Sequence, residues 1–64
     1  MKDLILIPNI QDPDGFYAEL LAVHQGRDDA GSQALNARLI LILANHVGDR
    51  AVLRQALELA GRAG

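Results

Sequence analysis

The sequence predicts an all-α protein, a three-helix bundle with helices at about 13–25, 29–47 and 50–62 and an extended N-terminal arm at about 3–8. The first indication is apolar residues that recur at helical spacing in three stretches, each after a potential capping aspartate. The second is composition: half of the 64 residues are hydrophobic, but only one Phe and one Tyr are aromatic. We therefore expect residues 1–64 to form one small domain with an aliphatic core.

The arm is predicted from the short apolar run Leu4–Ile7, which Pro8 ends. Its length and flanking residues favour an extended segment, which would be a strand or an arm lying across the helices. No apolar run reaches the roughly 18–20 residues that span a bilayer. The run is also shorter than the apolar region of about 7–15 residues in a secretory signal. We expect a cytoplasmic protein without a membrane segment.

The first helix has a strong start signal in Asp12-Pro13-Asp14. Asp12 is suited to bond free backbone amides, proline suits the first helical position, and an acid is favoured near the positive end of the helix dipole. Gly26 is a natural stop. We therefore place this helix at about 13–25.

The second helix is apolar on almost every side. Asp28 or Asp29 is expected to cap it, with Ser32 as a later candidate, and Gly48 follows its predicted end at Val47. A helix of this kind must be covered by neighbours, and so short a chain has few to offer. We expect one side to pack on the other two helices, and the other side to form a homodimer or dock on a larger protein. The candidate interface residues are Leu35, Leu39, Ile40, Leu41, Ile42 and Leu43.

The third helix follows Asp49 and is clearly amphipathic. Arg54, Glu58 and Arg62, four residues apart, lie on its polar face. A competing interpretation pairs a strand at Leu39–Leu43 with one at Leu4–Ile7 in a β-α-β unit. The polar and small residues around 36–38 are poor strand context, so the helical interpretation is preferred.

Two histidines lie in a short repeat, since residues 21–26 match residues 43–48 in Leu, Ala, His and Gly. His24 and His46 each lie near a predicted helix end, where the ring is suited to bond a free carbonyl. The sharper alternative is a two-histidine metal site. Consecutive antiparallel helices would hold the two rings more than about 10 Å apart, and the chain has no cysteine to complete a ligand set. We predict no metal and no cofactor.

A second candidate site combines Arg38, Asn45, His46 and Asp49 around the end of the second helix. A His–Asp pair is suited to general base catalysis. It would serve a small-ligand binder or a minor enzyme whose site lies at a dimer interface. The competing interpretation makes His46 and Asp49 helix caps. No serine or cysteine nucleophile accompanies the pair, so a catalytic role is not expected.

A DNA-binding regulator is the third hypothesis. Ala44 and Gly48 have the spacing of a helix-turn-helix motif. Asp49 and Arg54, however, occupy positions where that motif requires apolar residues. The formal net charge of −2 also lacks the clustered basic residues of a nucleic-acid surface. We expect no nucleic-acid partner.

Three segments carry a resemblance to a known family: residues 8–10, residues 12–17 and residues 35–49. The most distinctive part is Asn-Ala-Arg-Leu-Ile at 36–40, followed by Ala-Asn-His-Val-Gly-Asp at 44–49. The chain resembles a family of short bacterial proteins classed only as a domain of unknown function. The resemblance implies a bacterial, non-secreted protein. It also implies an accessory role beside a flavin-dependent aromatic hydroxylase, and it assigns no functional residue.

Overall fold

A computed structural model describes residues 3–63 of the chain, the last of them by its backbone alone. Within that range it contains three helices, α1 (Pro13–His24), α2 (Asp29–Val47) and α3 (Arg50–Ala63), and no strand. The predicted all-α class is confirmed. The β-α-β alternative is wrong, because α2 runs without a break through the residues that would have formed its second strand.

Aspartates cap the starts of α1 and α2 as the sequence predicts. The Gly15 amide donates to Asp12 Oδ1 over 3.2 Å, and the Gly31 amide donates to Asp28 Oδ1 over 2.8 Å. Of the candidates for α2, Asp28 is therefore the cap, and Ser32 lies inside the first turn. Asp12 adopts φ 50°, in the left-handed region that aspartate tolerates better than most residues.

The junction between α2 and α3 is also held by hydrogen bonds between residues close together in the sequence. Gly48, at φ 72°, ends α2, and its amide donates to the carbonyl oxygen of Ala44 over 2.9 Å. The carboxylate of Asp49 then accepts from the amides of Ala51 and Val52, over 2.9 and 3.1 Å. A glycine stop and an aspartate start thus follow each other directly, which leaves α3 immediately after α2.

The N-terminal arm is extended, and its first described residues are tied to α3. The Leu4 amide donates to Gln55 Oε1 over 2.8 Å, and Gln55 Nε2 lies 3.4 Å from Asp3 Oδ1. The other end of the arm leads into the cap of α1. The arm therefore forms a strap from the middle of α3 to the start of α1.

The three helices form an open bundle. The accessible surface of the chain is 5783 Å², whereas a compact monomer of 6.9 kDa exposes about 4,000 Å². The Cα radius of gyration is 13.4 Å, against about 10.7 Å for a compact domain of this length. No side chain of residues 3–62 is fully buried. The expected packing of α2 inside the bundle is limited to side chains such as Leu35 and Leu39, which are half-buried.

Among the described residues, no helix is both long enough and apolar enough to span a membrane.

Candidate interaction surface

The second half of α2 is exposed on every side. Ile40, Leu41, Ile42 and Leu43 keep 61, 71, 65 and 49% of their surface accessible. Successive residues on a helix point about 100° apart, so four consecutive side chains cover its whole circumference. The chain itself therefore leaves these four side chains about half exposed or more on every side of α2, and of the residues that follow up to Val47 only Ala44 is half-buried. Of the six predicted interface residues, these four are exposed, and Leu35 and Leu39 are half-buried.

Exposed apolar side chains also occur on every other element. Single exposed apolar residues are ordinary on a protein surface, but large connected patches mark sites of interaction. Here the arm, α1 and α3 all contribute to the exposed set, which comprises Ile5, Leu6, Ile7, Ile10, Phe16, Tyr17, Leu21, Val23, Val47, Leu57 and Leu59 in addition to the α2 residues above.

His24 joins α1 to α2. Its Nδ1 lies 2.7 Å from the carbonyl oxygen of Leu20, and its Nε2 lies 2.8 Å from Oδ1 of Asn36. A protonated ring donates to both oxygens. A neutral ring that donates from Nδ1 is satisfied when the Asn36 amide group is turned so that its nitrogen donates instead. His24 therefore bonds a carbonyl of its own helix, but that of Leu20, one turn back, and not one of the free carbonyls at the end of α1 that the sequence predicted.

Asn36 is the residue of this link that sequence reasoning missed. The sequence shows it only as a polar outlier on an apolar helix, one turn before Ile40. A lone amide in such a position is a signal that a polar partner lies opposite. Nothing in the spacing of His24 and Asn36 identifies that partner, because the contact depends on the angle between two helices.

The predicted polar site is not assembled by hydrogen bonds. Asp49 directs its carboxylate at two amides of α3, as a capping role requires. Arg38, Asn45 and His46 are exposed, and no side-chain hydrogen bond joins any of them to another residue within 3–62. The predicted capping role of His46 is thus not observed. The two repeat segments share a left-handed glycine, at Gly26 and Gly48, but only the first histidine is bonded.

Neither the surface grooves nor the metal-ligating side chains of the described residues form a better candidate than the predicted polar site. Over the described part of the chain, no cluster of three His, Cys, Asp or Glu residues is placed to hold a metal ion. One shallow groove runs between the arm and α3, beside Leu4, Gln55 and Leu59. Another lies along the arm at residues 5–10. Both are open to solvent and apart from the predicted polar site, and both add to the exposed apolar surface.

Comparison with protein families matches residues 4–62 to the family described as "Protein of unknown function (DUF2783)". The chain belongs to the DUF2783 family. The match begins in the arm and ends near the end of α3, so the arm is part of this DUF2783 domain. No curated protein and no solved structure matches the chain significantly. The expected membership of a family of unknown function is confirmed, and the family supplies no activity.

Proposed function

We propose that this DUF2783 protein is a non-catalytic interaction module, an accessory subunit whose small helical fold is completed by another protein chain. The observation that carries the proposal is that no described side chain is buried. The accessible surface exceeds that of a compact monomer of equal mass by roughly 1,800 Å². That excess is more than twice the area of about 800 Å² that each partner buries in an interface of standard size.

The energetic balance supports the same proposal. Complete burial of one Leu or Ile side chain contributes about 1.5–3 kcal/mol. Ile40, Leu41, Ile42 and Leu43 each keep about half of their surface or more accessible, so covering all four adds on the order of 5 kcal/mol. A core of this size rarely supplies more than about 3–5 kcal/mol by itself. A partner at α2 would thus contribute as much stability as the rest of the fold.

The alternative of a small-ligand binder or minor enzyme has less support. It needs the Asp49 carboxylate beside His46, but that carboxylate accepts two backbone amides at the start of α3. A DNA-binding role is disfavoured by the formal net charge of −2. A bacterial cytoplasmic location, and a flavin-dependent aromatic hydroxylase as a larger partner, come from the sequence and the family resemblance and remain part of the proposal.

The test places a charge on the bare part of α2. Ile40→Asp and Leu41→Asp should each release the chain from its assembly, because a desolvated carboxylate without a partner costs several kcal/mol. We expect insoluble protein or monomers of reduced helicity. The mass of the assembly would be measured by light scattering after gel filtration, and helicity by circular dichroism.

Gln33→Asp is the matched control, because it adds the same charge to an exposed position of the same helix before the apolar stretch begins. This variant should keep the parent's assembly and melting temperature. Ile40→Asp and Leu41→Asp proteins that also keep both properties contradict the proposal. A parent protein that is stably folded as a monomer and binds no other protein also contradicts the proposal.

A further inference from the structure

We propose that the chain which covers α2 is a second copy of this protein, and that the two α2 helices pack together through Ile40, Leu43 and Val47. These three residues are called the central stripe below. The inference rests on the proposed function and names its partner. The central stripe borders the half-buried side of α2, since Leu43 lies four residues after Leu39, but its own side chains remain exposed.

The spacing of the central stripe is that of helix-to-helix packing. Ile40, Leu43 and Val47 follow one another at intervals of three and four residues, which places all three on one side of the helix. Their side chains are 61, 49 and 45% accessible. From residue 39 to residue 48 there is no Asp, Glu, Lys or Arg. Two copies of this surface therefore meet without opposing like charges.

The area favours a second copy. Two separate chains expose twice 5783 Å², whereas one compact particle of twice the mass exposes roughly 6,600 Å². Their union would bury about 4,900 Å² in total, which lies in the range of about 2,000–5,000 Å² for obligate homodimers. Each copy also has exposed apolar side chains on every element, so each supplies the cover that the other lacks.

The contact between the two α2 helices forms only the central part of the proposed dimer interface. Leu41 points away from the central stripe, since it lies two residues from Leu43 and hence about 200° around the helix. Side chains there would be covered by the arm or another helix of the second copy.

The test uses the absence of cysteine from the chain. Leu43 is the middle residue of the central stripe, so it meets its own copy whether the two helices run parallel or antiparallel. In Leu43→Cys, the Cα atoms of the two copies should come within the roughly 4.4–6.8 Å that a disulfide requires. Leu41→Cys is the matched control, because its side chain points to the opposite side of α2.

Under mild oxidation at micromolar concentration, Leu43→Cys should convert most of the protein to covalent dimers, at least tenfold more than Leu41→Cys. The native mass of the parent should be twice that of the chain. Packing through the central stripe is contradicted if the two variants cross-link equally. It is also contradicted if the parent is a dimer but Leu43→Cys does not cross-link.

The mass of the parent separates this inference from the proposed function. A parent that is monomeric and weakly helical at about 100 μM, and gains helicity on binding a different protein, overturns the second copy but keeps the interaction module. A parent that is monomeric, stably folded alone and binds no other protein overturns both. Neither result depends on how a cysteine variant folds.

Discussion

At the scale of single residues, α1 and α2 begin with the same device, an Asp-x-x-Gly segment at 12–15 and 28–31. In each, the carboxylate accepts from the amide of the glycine three residues later. The space at the two glycines differs. A Cβ atom on Gly15 would lie 2.8 Å from Cγ of Asp12, so the carboxylate would have to shift, whereas one on Gly31 would lie 3.1 Å from Oδ1 of Asp28, which a shift of a few tenths of an ångström relieves. Of the two caps, that of α1 is therefore the one that a side chain at the glycine position would displace.

The first prediction concerns Gly15→Ala, which should lower the free energy of unfolding by about 1 kcal/mol, because the new methyl group displaces the Asp12 carboxylate from its cap. Gly61→Ala is the control, since nothing lies within 4 Å of its Cβ position. It should raise the free energy of unfolding by up to about 1 kcal/mol, because alanine is the better helix former. Urea unfolding at one fixed protein concentration measures both. A Gly15→Ala protein as stable as Gly61→Ala contradicts the account of the cap.

At the scale of the elements, the helix bounds could be predicted to within one residue. The prediction of 13–25 compares with Pro13–His24, and that of 50–62 compares with Arg50–Ala63. These bounds depend on capping groups within a few residues of each helix end, so the local sequence contains the necessary information. The arm was predictable for the same reason, because Pro8 limits its only apolar run.

The contacts between elements could not be predicted from the sequence. In the sequence, Asn36 is only a polar residue on an apolar helix. Its hydrogen-bond partner depends on the angle between α1 and α2. The grouping of Arg38 with His46 and Asp49 followed from closeness along the chain. In the structure Asp49 belongs to the start of α3, because a capping aspartate is committed to the helix that follows it.

The second prediction belongs to this scale: the His24–Asn36 hydrogen bond couples α1 to α2. His24→Ala and Asn36→Ala should each lower the free energy of unfolding by about 1 kcal/mol. The double variant should lose less than the sum of the two by roughly 0.5–1 kcal/mol, because the shared bond is lost only once. Urea unfolding of the four proteins measures this coupling.

The matched control is His46→Ala, since His46 occupies the equivalent place in the repeat and has no side-chain hydrogen bond to the described residues. Its free energy of unfolding should change by less than about 0.5 kcal/mol. Additive effects of His24→Ala and Asn36→Ala, or an equal loss in His46→Ala, show that the bond does not hold the two helices together.

At the scale of the whole molecule, the helices are fully formed but the packing between them is sparse. Helices α1, α2 and α3 contain 12, 19 and 14 residues, and isolated helices shorter than about 12–15 residues are marginal in water. Most helical stability in proteins comes from the packing of an apolar face, yet no described side chain is fully buried in the chain by itself. The sequence already indicated this need for a partner, because α2 is apolar on nearly every side. It gave no indication that α1 and α3 would leave so much of α2 bare.

The last prediction is that folding depends on protein concentration. If assembly supplies the missing core, dilution from about 100 μM to nanomolar concentration should lower both the helicity and the melting temperature, since mass action couples unfolding to dissociation. Circular dichroism and fluorescence of a labelled chain measure the two over this range. Gln33→Asp should follow the same curve as the parent, whereas Ile40→Asp should show at high concentration the low helicity that the parent shows only when dilute. A melting temperature that stays constant over the whole range, with full helicity, means that the open bundle is stable by itself and that its exposed apolar surface is not the site of obligate assembly.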